Sequence, residues 1–210
     1  MGDPVLRANA LLRNEPVQAR STARLTALLD AAAASIDARG FELLTTAMVA
    51  ERAGASIGTV YRYFPDRIAV LKAVSLRSIE RFSEAAKSAI AGASSDDWRS
   101  GVDAILDALE KSFRSEPAFA SLRFGDPVDL RPRESDTTGL RTVIDSFASE
   151  FVAKYGGDSA AVLAEKLEIA FTIADGLYAR AFTFDAKGDA SIIAKTREAV
   201  HANLSATLSR

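Results

Sequence analysis

Residues 55–71 read ASIGTVYRYFPDRIAVL. Glycine, threonine, three aromatics (Tyr61, Tyr63, Phe64) and Arg62 crowd into a few positions, and then a proline, an acid and an apolar run follow. This is too polar for a core and too aromatic for an ordinary turn. Hydroxyl and guanidinium donors set around a glycine are the groups that contact nucleic acid. Gly58 permits close backbone approach, and Thr59 can touch a base edge or a thymine methyl. Tyr61 and Tyr63 can donate hydrogen bonds to phosphates, and Arg62 can reach a guanine or a phosphate.

Other chemistry is thinly supplied. The chain has no cysteine, which removes disulfides, thiolate metal ligands and cysteine nucleophiles. Its single histidine, His201, falls on the last helix and reads as a surface or interface residue. Transition-metal sites and histidine general bases are disfavoured accordingly, so no metal, no cofactor and no catalytic residue is assigned. Hydrophobic residues at 48% and charged residues at 26% give a globular balance. No apolar run approaches the roughly 18 residues of a membrane span. The leader, residues 1–19, lacks the apolar block of a signal peptide, so a cytoplasmic protein with no membrane partner is expected. Residues 1–72 carry 9 Lys/Arg against 7 Asp/Glu, and residues 73–210 carry 17 against 21. That mild asymmetry permits an N-terminal part that meets an anion.

The elements that would position the motif are helical. Leu25, Leu28, Leu29, Ala32, Ala33 and Ile36 form one apolar stripe, and Gly40 is a plausible stop. Thr46 is placed to cap a short helix, TAMVAERA, that ends at Gly54. Ser56 can cap a second, IGTVYRYF, ended by Pro65. Asp66 can cap a longer helix from about Arg67 to Ile90. Further helices are expected from the turn at Ser94–Asp97 to Arg114, from Pro117 to Phe124, from Leu140 to Lys154, from Ser159 to Thr183 and from Asp189 to Leu208. Gly125–Gly139 reads mostly as a loop. With no alternating strand pattern, the fold is expected to be all-α, with about nine helices.

Two short helices joined by a glycine-containing turn make a helix-turn-helix. Val49, Ala50, Val60 and Phe64 are placed to pack inward, leaving Ile57, Gly58, Thr59, Tyr61, Arg62 and Tyr63 largely outward. Residues 20–74, above all TTAMVAERAGASIGTVYRYFPDRIAVLKAV, resemble the DNA-binding domain of the TetR (tetracycline-repressor) family of bacterial transcriptional regulators. Gly40, Thr45-Thr46, Val49-Ala50, Ala53-Gly54, Ser56, Gly58-Thr59, Tyr61, Tyr63-Phe64, Arg67 and Leu71 stand at matching positions. Ala55 replaces a common valine, Tyr63 a frequent histidine and Arg67 a usual lysine. The resemblance implies that Thr46, Tyr61, Tyr63 and Arg67 hold the phosphate backbone, with Thr45 as an added contact. Ile57, Gly58, Thr59 and Arg62 would face bases. Ser56 caps its helix and can meet a phosphate as well.

Residues 75–210 hold no motif with chemistry of its own. The resemblance implies a larger helical domain that encloses a small-molecule effector and forms a homodimer. For the effector pocket the candidates are Phe113, Phe119, Leu122, Arg123, Phe124, Phe147, Phe151, Phe171, Asp175 and Tyr178, although aromatics at helical spacing are core by default. For a dimer built on the last two helices they are Leu163, Leu167, Ala170, Ala174, Leu177, Ala181, Ile193, Val200 and Leu204. The expectation is then a non-enzymatic, homodimeric repressor that releases a palindromic double-stranded DNA operator when an effector binds. An all-α enzyme or carrier whose first three helices merely support the fold is the alternative. A regulator that answers to partner proteins is a third reading.

Overall fold

The computed structural model describes residues 19–116, 118–122, 139–157 and 159–207. The described residues form helices and turns without a strand. In chain order the helices are α1 (Ala19–Arg39), α2 (Thr46–Arg52), α3 (Ile57–Tyr63), α4 (Arg67–Gly92), α5 (Trp98–Ser115), α6 (Phe119–Leu122), α7 (Gly139–Tyr155), α8 (Ala160–Ala181) and α9 (Ala190–Thr207). A helix is found in every segment where one is expected, though the one expected over Pro117–Phe124 begins only at Phe119, because Ala118 takes φ +67°. Of the leader expected over residues 1–19, Ala19 belongs to α1 and residues 1–18 lie outside the described residues, as do the loop residues 125–138 and Leu208.

Local chemistry explains the boundaries. Gly40 ends α1 with φ +84°, and Gly54 makes the turn after α2 with φ +59°, a region that side chains disfavour. The N-cap of α2 is Thr45, one residue before the expected Thr46. Thr45 is extended, and its hydroxyl accepts the Met48 N–H at 3.2 Å. Ser56 caps α3 by accepting from Thr59 N–H at 3.1 Å. Asp66 caps α4 by accepting from Ala69 N–H at 2.8 Å.

The described residues divide into two compact units, one of residues 19–81 with 118–122, the other of the remainder. The division falls inside α4, between Arg81 and Phe82, a few residues beyond the boundary expected at 74/75. In the first unit the α1 stripe is sealed, each of its six members at most 3% exposed. Val49, Ala50, Val60, Phe64, Val70, Leu71 and Val74 close over it in one core. Arg77 is buried in this unit and ion-paired to Asp30 at 2.7 Å, which ties α4 to α1. In the second unit the Phe82 ring meets Phe147 edge-on at 5.8 Å and Phe171 at 5.7 Å. Lys154 on α7 donates to the carbonyls of Ile90, Ala91 and Ala93, satisfying the end of α4.

Candidate nucleic-acid interface

α3 is a seven-residue helix, too short to be stable in water without packing. Val60 and Phe64, both 0% exposed, press it onto the first unit's core. The opposite side carries Ile57 and Tyr61, each 44% exposed, with Gly58 and Arg62 also in solvent and Thr59 half-buried. Arg62 has no hydrogen-bond or ion-pair partner among the described residues, so its fork of donors is open to a ligand. A Cβ at Gly58 would meet only the Ser56 hydroxyl, at 3.8 Å, so glycine leaves the helix start open. The Ser56 and Thr59 hydroxyls lie 2.9 Å apart, which orients Thr59 at the start of the helix. On α2 the Thr46 hydroxyl donates to Tyr61 Oη at 3.4 Å, bringing the two short helices' polar groups together. Thr45, Thr46, Ser56, Ile57, Gly58, Thr59, Tyr61 and Arg62 therefore sit on or beside one accessible face. It is rich in donors and carries one cation and no acid on α3, which suits a groove lined by phosphates.

Two expected contact residues are placed differently. Tyr63 is only 6% exposed, and its hydroxyl is 2.9 Å from Ser21 Oγ and donates to the Ser21 carbonyl at 3.3 Å. It packs inward because it follows Val60 by three residues and so falls on the buried stripe. Arg67 is half-buried and donates from Nη2 to the Phe41 carbonyl at 3.0 Å, while its buried Nε meets no partner among the described residues. Its guanidinium braces the turn between α1 and α2. The sequence reading missed Ser21, which lies 42 residues from Tyr63 and reads locally as a first-turn serine.

The C-terminal candidates scatter. Phe147 and Phe171 line an apolar cavity of about 30 Å³ in the second unit, with Val102, Ile105, Ala174 and Val200 among its other walls. Phe113 instead stacks on Phe182 at 5.4 Å, and Phe151 packs on Tyr155 at 5.2 Å. Asp175 is half-buried on α8 and is not among the cavity walls. Phe119 and Leu122 are buried in the first unit, not in the C-terminal pocket expected of them, and Leu122 joins that unit's core. Arg123 and Phe124 lie outside the described residues. Tyr178 is fully buried and its hydroxyl has no hydrogen-bond partner among the described residues. Burial pushes that hydroxyl up to about 12; the Arg197 guanidinium opposes the rise, and Glu110, Asp107 and Asp103 add to it.

The residues named for the dimer mostly face inward. Leu163, Leu167, Ala170, Ala174, Ala181, Ile193, Val200 and Leu204 are all buried, and Leu177 is half-buried. The named α8 residues belong to its continuous apolar stripe, which meets the protomer's own core, while the other side mixes apolar residues with Glu165, Thr172 and Arg180. The outer side carries Val162 at 43% exposure, Ile169 at 58% and Gly176, which has open space around it. His201 contacts Asp103 at 2.8 Å beside the Trp98 ring, a tie between α9 and α5. Among the described residues no cluster of His, Asp or Glu is placed to hold a metal ion, and no helix is long and apolar enough to cross a membrane.

Comparison with known proteins agrees with this geometry. Residues 28–74 match the family of bacterial regulatory proteins of the tetR type, and residues 96–208 match the tetracyclin repressor-like C-terminal domain. A TetR-family transcriptional regulator from Streptomyces coelicolor is 30% identical, with a TM-score of 0.72 over 88% of this chain and 99% of that one. The transcriptional repressor KstR of Mycobacterium tuberculosis is 32% identical over 90 residues, and that of Rhodococcus jostii 38% over 60. These two alignments span 42% and 29% of this chain, and only 41% and 28% of the repressors. A family match over the helices of the first unit and a C-terminal domain match over more than half the chain's length place this chain in the TetR family, a family of regulators rather than enzymes.

Proposed function

We propose that this protein is a DNA-binding transcriptional repressor that reads an operator with α3. The observation that carries this is the exposed face of α3, where Ile57, Gly58, Thr59, Tyr61 and Arg62 project from a helix anchored on its other side by Val60 and Phe64. Ile57, Gly58, Thr59 and Arg62 face bases in the major groove. Tyr61, Thr45, Thr46 and Ser56 meet phosphates, and Tyr63 and Arg67 hold the reader in place from inside. The family's membership and the KstR relatives, repressors by name, support the reading. The protein works in the cytoplasm, where operator DNA is.

A second copy docks on the outer side of α8, through Val162, Ile169 and Gly176. Gly176 lets helices approach closely, and the exposed Val162 and Ile169 side chains are costly to leave in water. Two-fold symmetry then offers two α3 helices to a palindrome whose half-sites lie about 34 Å apart, or a multiple of that.

The apolar cavity lined by Phe147 and Phe171 is the seed of an effector site. As it stands it has room for about one water molecule, so an effector must widen it. That coupling provides the release: a ligand that binds the widened form shifts the population away from the operator-binding form. The effector is therefore largely apolar, because charged groups are missing from the described walls.

The test is to sequence the duplexes that the purified protein selects from a randomised pool. An inverted repeat with half-sites spaced by whole helical turns is expected. A pool left without enrichment would refute operator reading.

A further inference from the structure

We propose that Ser21 is a positioning residue for operator reading, acting through the Tyr63 hydroxyl. The inference rests on the operator-reading function proposed above. Apolar anchoring by Val60 and Phe64 holds α3 down but is non-directional, so it leaves the roll of a two-turn helix weakly determined. A hydrogen bond is directional, and Tyr63 is bonded twice to α1 in a part-buried setting, whereas the Thr46–Tyr61 contact to α2 is longer, at 3.4 Å, and exposed. The two contacts form a reciprocal pair: the Tyr63 O–H donates to the Ser21 carbonyl while the Ser21 hydroxyl donates to Tyr63 Oη. Both residues are at least half-buried, so water competes poorly for the pair.

Tyr63 directly follows Tyr61 and Arg62 in the last turn of α3. Fixing its ring fixes the azimuth of the base-facing residues one turn earlier. Ser21 sits in the first turn of α1, beside exposed Arg20 and near exposed Arg24, neither of which has an ion-pair partner among the described residues. The same bond therefore registers the start of α1, with two cations, against the reading face. Ser21 needs no contact with DNA to influence which bases are read.

The variants are Ser21→Ala, Tyr63→Phe, the double, and Ser21→Thr. The probes are a labelled duplex recovered from the randomised pool and a scrambled duplex of equal length, followed by fluorescence anisotropy over a salt series. Ser21→Ala and Tyr63→Phe are each expected to weaken binding to the selected duplex about three- to tenfold. The double should be no weaker than Tyr63→Phe alone, which already removes both contacts, and Ser21→Thr should bind like wild type. Affinity for the scrambled duplex and its salt slope should stay at wild-type values, which a general loss of folding would not allow. A wild-type-like Ser21→Ala beside a weakened Tyr63→Phe would show that the Ser21 hydroxyl does not position the ring, and would overturn the proposal. So would additive losses, or an equal loss on both duplexes. A wild-type protein that fails to distinguish the two duplexes would instead remove operator reading itself, and Ser21's role with it.

Discussion

The two units of the molecule use aromatic and polar residues in opposite ways. In the first, α3 keeps its donors on the outside and its apolar residues inside, and two polar side chains, Tyr63 and Arg67, turn inward to brace it. In the second, Phe82, Phe147 and Phe171 cluster together, and Phe113, Tyr178 and Phe182 form another inner group. On α8 that unit shows outside the aliphatic Val162 and Ile169 and the small Gly176, among Glu165, Thr172 and Arg180. The contrast separates two kinds of binding. The first unit offers a preformed polar face to a ligand of fixed shape. The second offers packing that must yield before a small molecule can enter.

Substitutions that exchange inside for outside in each unit sharpen this contrast. The largest effect is expected from Phe64→Ala, which removes a 0% exposed ring under α3. A loss of about 3–5 kcal/mol in stability, read by denaturant unfolding, should accompany loss of DNA binding. An unchanged unfolding midpoint would mean that α3 does not depend on that core.

Next comes Ile169→Glu on the outer side of α8, 58% exposed in the protomer. Two-fold symmetry places the charge in the interface twice, so the dimer dissociation constant should rise at least about tenfold. Sedimentation equilibrium gives this directly, and circular dichroism should show full helix content. A dimer as tight as wild type would move the interface elsewhere.

The smallest effect concerns Tyr178→Phe. Removing a buried hydroxyl that lacks a hydrogen-bond partner among the described residues should raise stability by about 1 kcal/mol, or about 2–4 °C in melting temperature. A large drop would show that the hydroxyl is satisfied within the fold. The raised hydroxyl also carries a pH signature. Its neutral form is the one the folded state favours, so its contribution is complete below pH 10 and is lost as pH rises toward about 12. The phenylalanine variant should lack that part of the alkaline decline.

Features governed by nearby residues were legible in the sequence. The six-residue stripe of α1, positive-φ glycines at 40 and 54, and caps at Ser56 and Asp66 each follow from chemistry within a few positions. So does the outward placing of Ile57, Gly58, Tyr61 and Arg62. Tyr63 was misplaced although its spacing held the answer: Val60, Tyr63 and Phe64 fall at i, i+3 and i+4, one buried stripe. Its hydroxyl suggested phosphate, whereas a serine 42 residues away claims it. Arg67 was misread for the same reason, since its partner is a backbone carbonyl 26 residues away that no pattern announces. The dimer candidates on α8 turned inward because they belong to its continuous apolar stripe, which the protomer's own core takes first. Leu122 was assigned to the C-terminal pocket by its neighbours in sequence, but it packs into the first unit's core.

The central claim, that the open face of α3 reads DNA sequence, is tested most directly by a Thr59→Ala/Arg62→Ala double variant. Its anisotropy titrations against a selected and a scrambled duplex are compared with those of wild type. The double variant is expected to lose about 1–3 kcal/mol of preference for each base contact removed, while keeping weak scrambled-DNA binding and its melting temperature. A variant that retained wild-type preference for the selected duplex would contradict the claim.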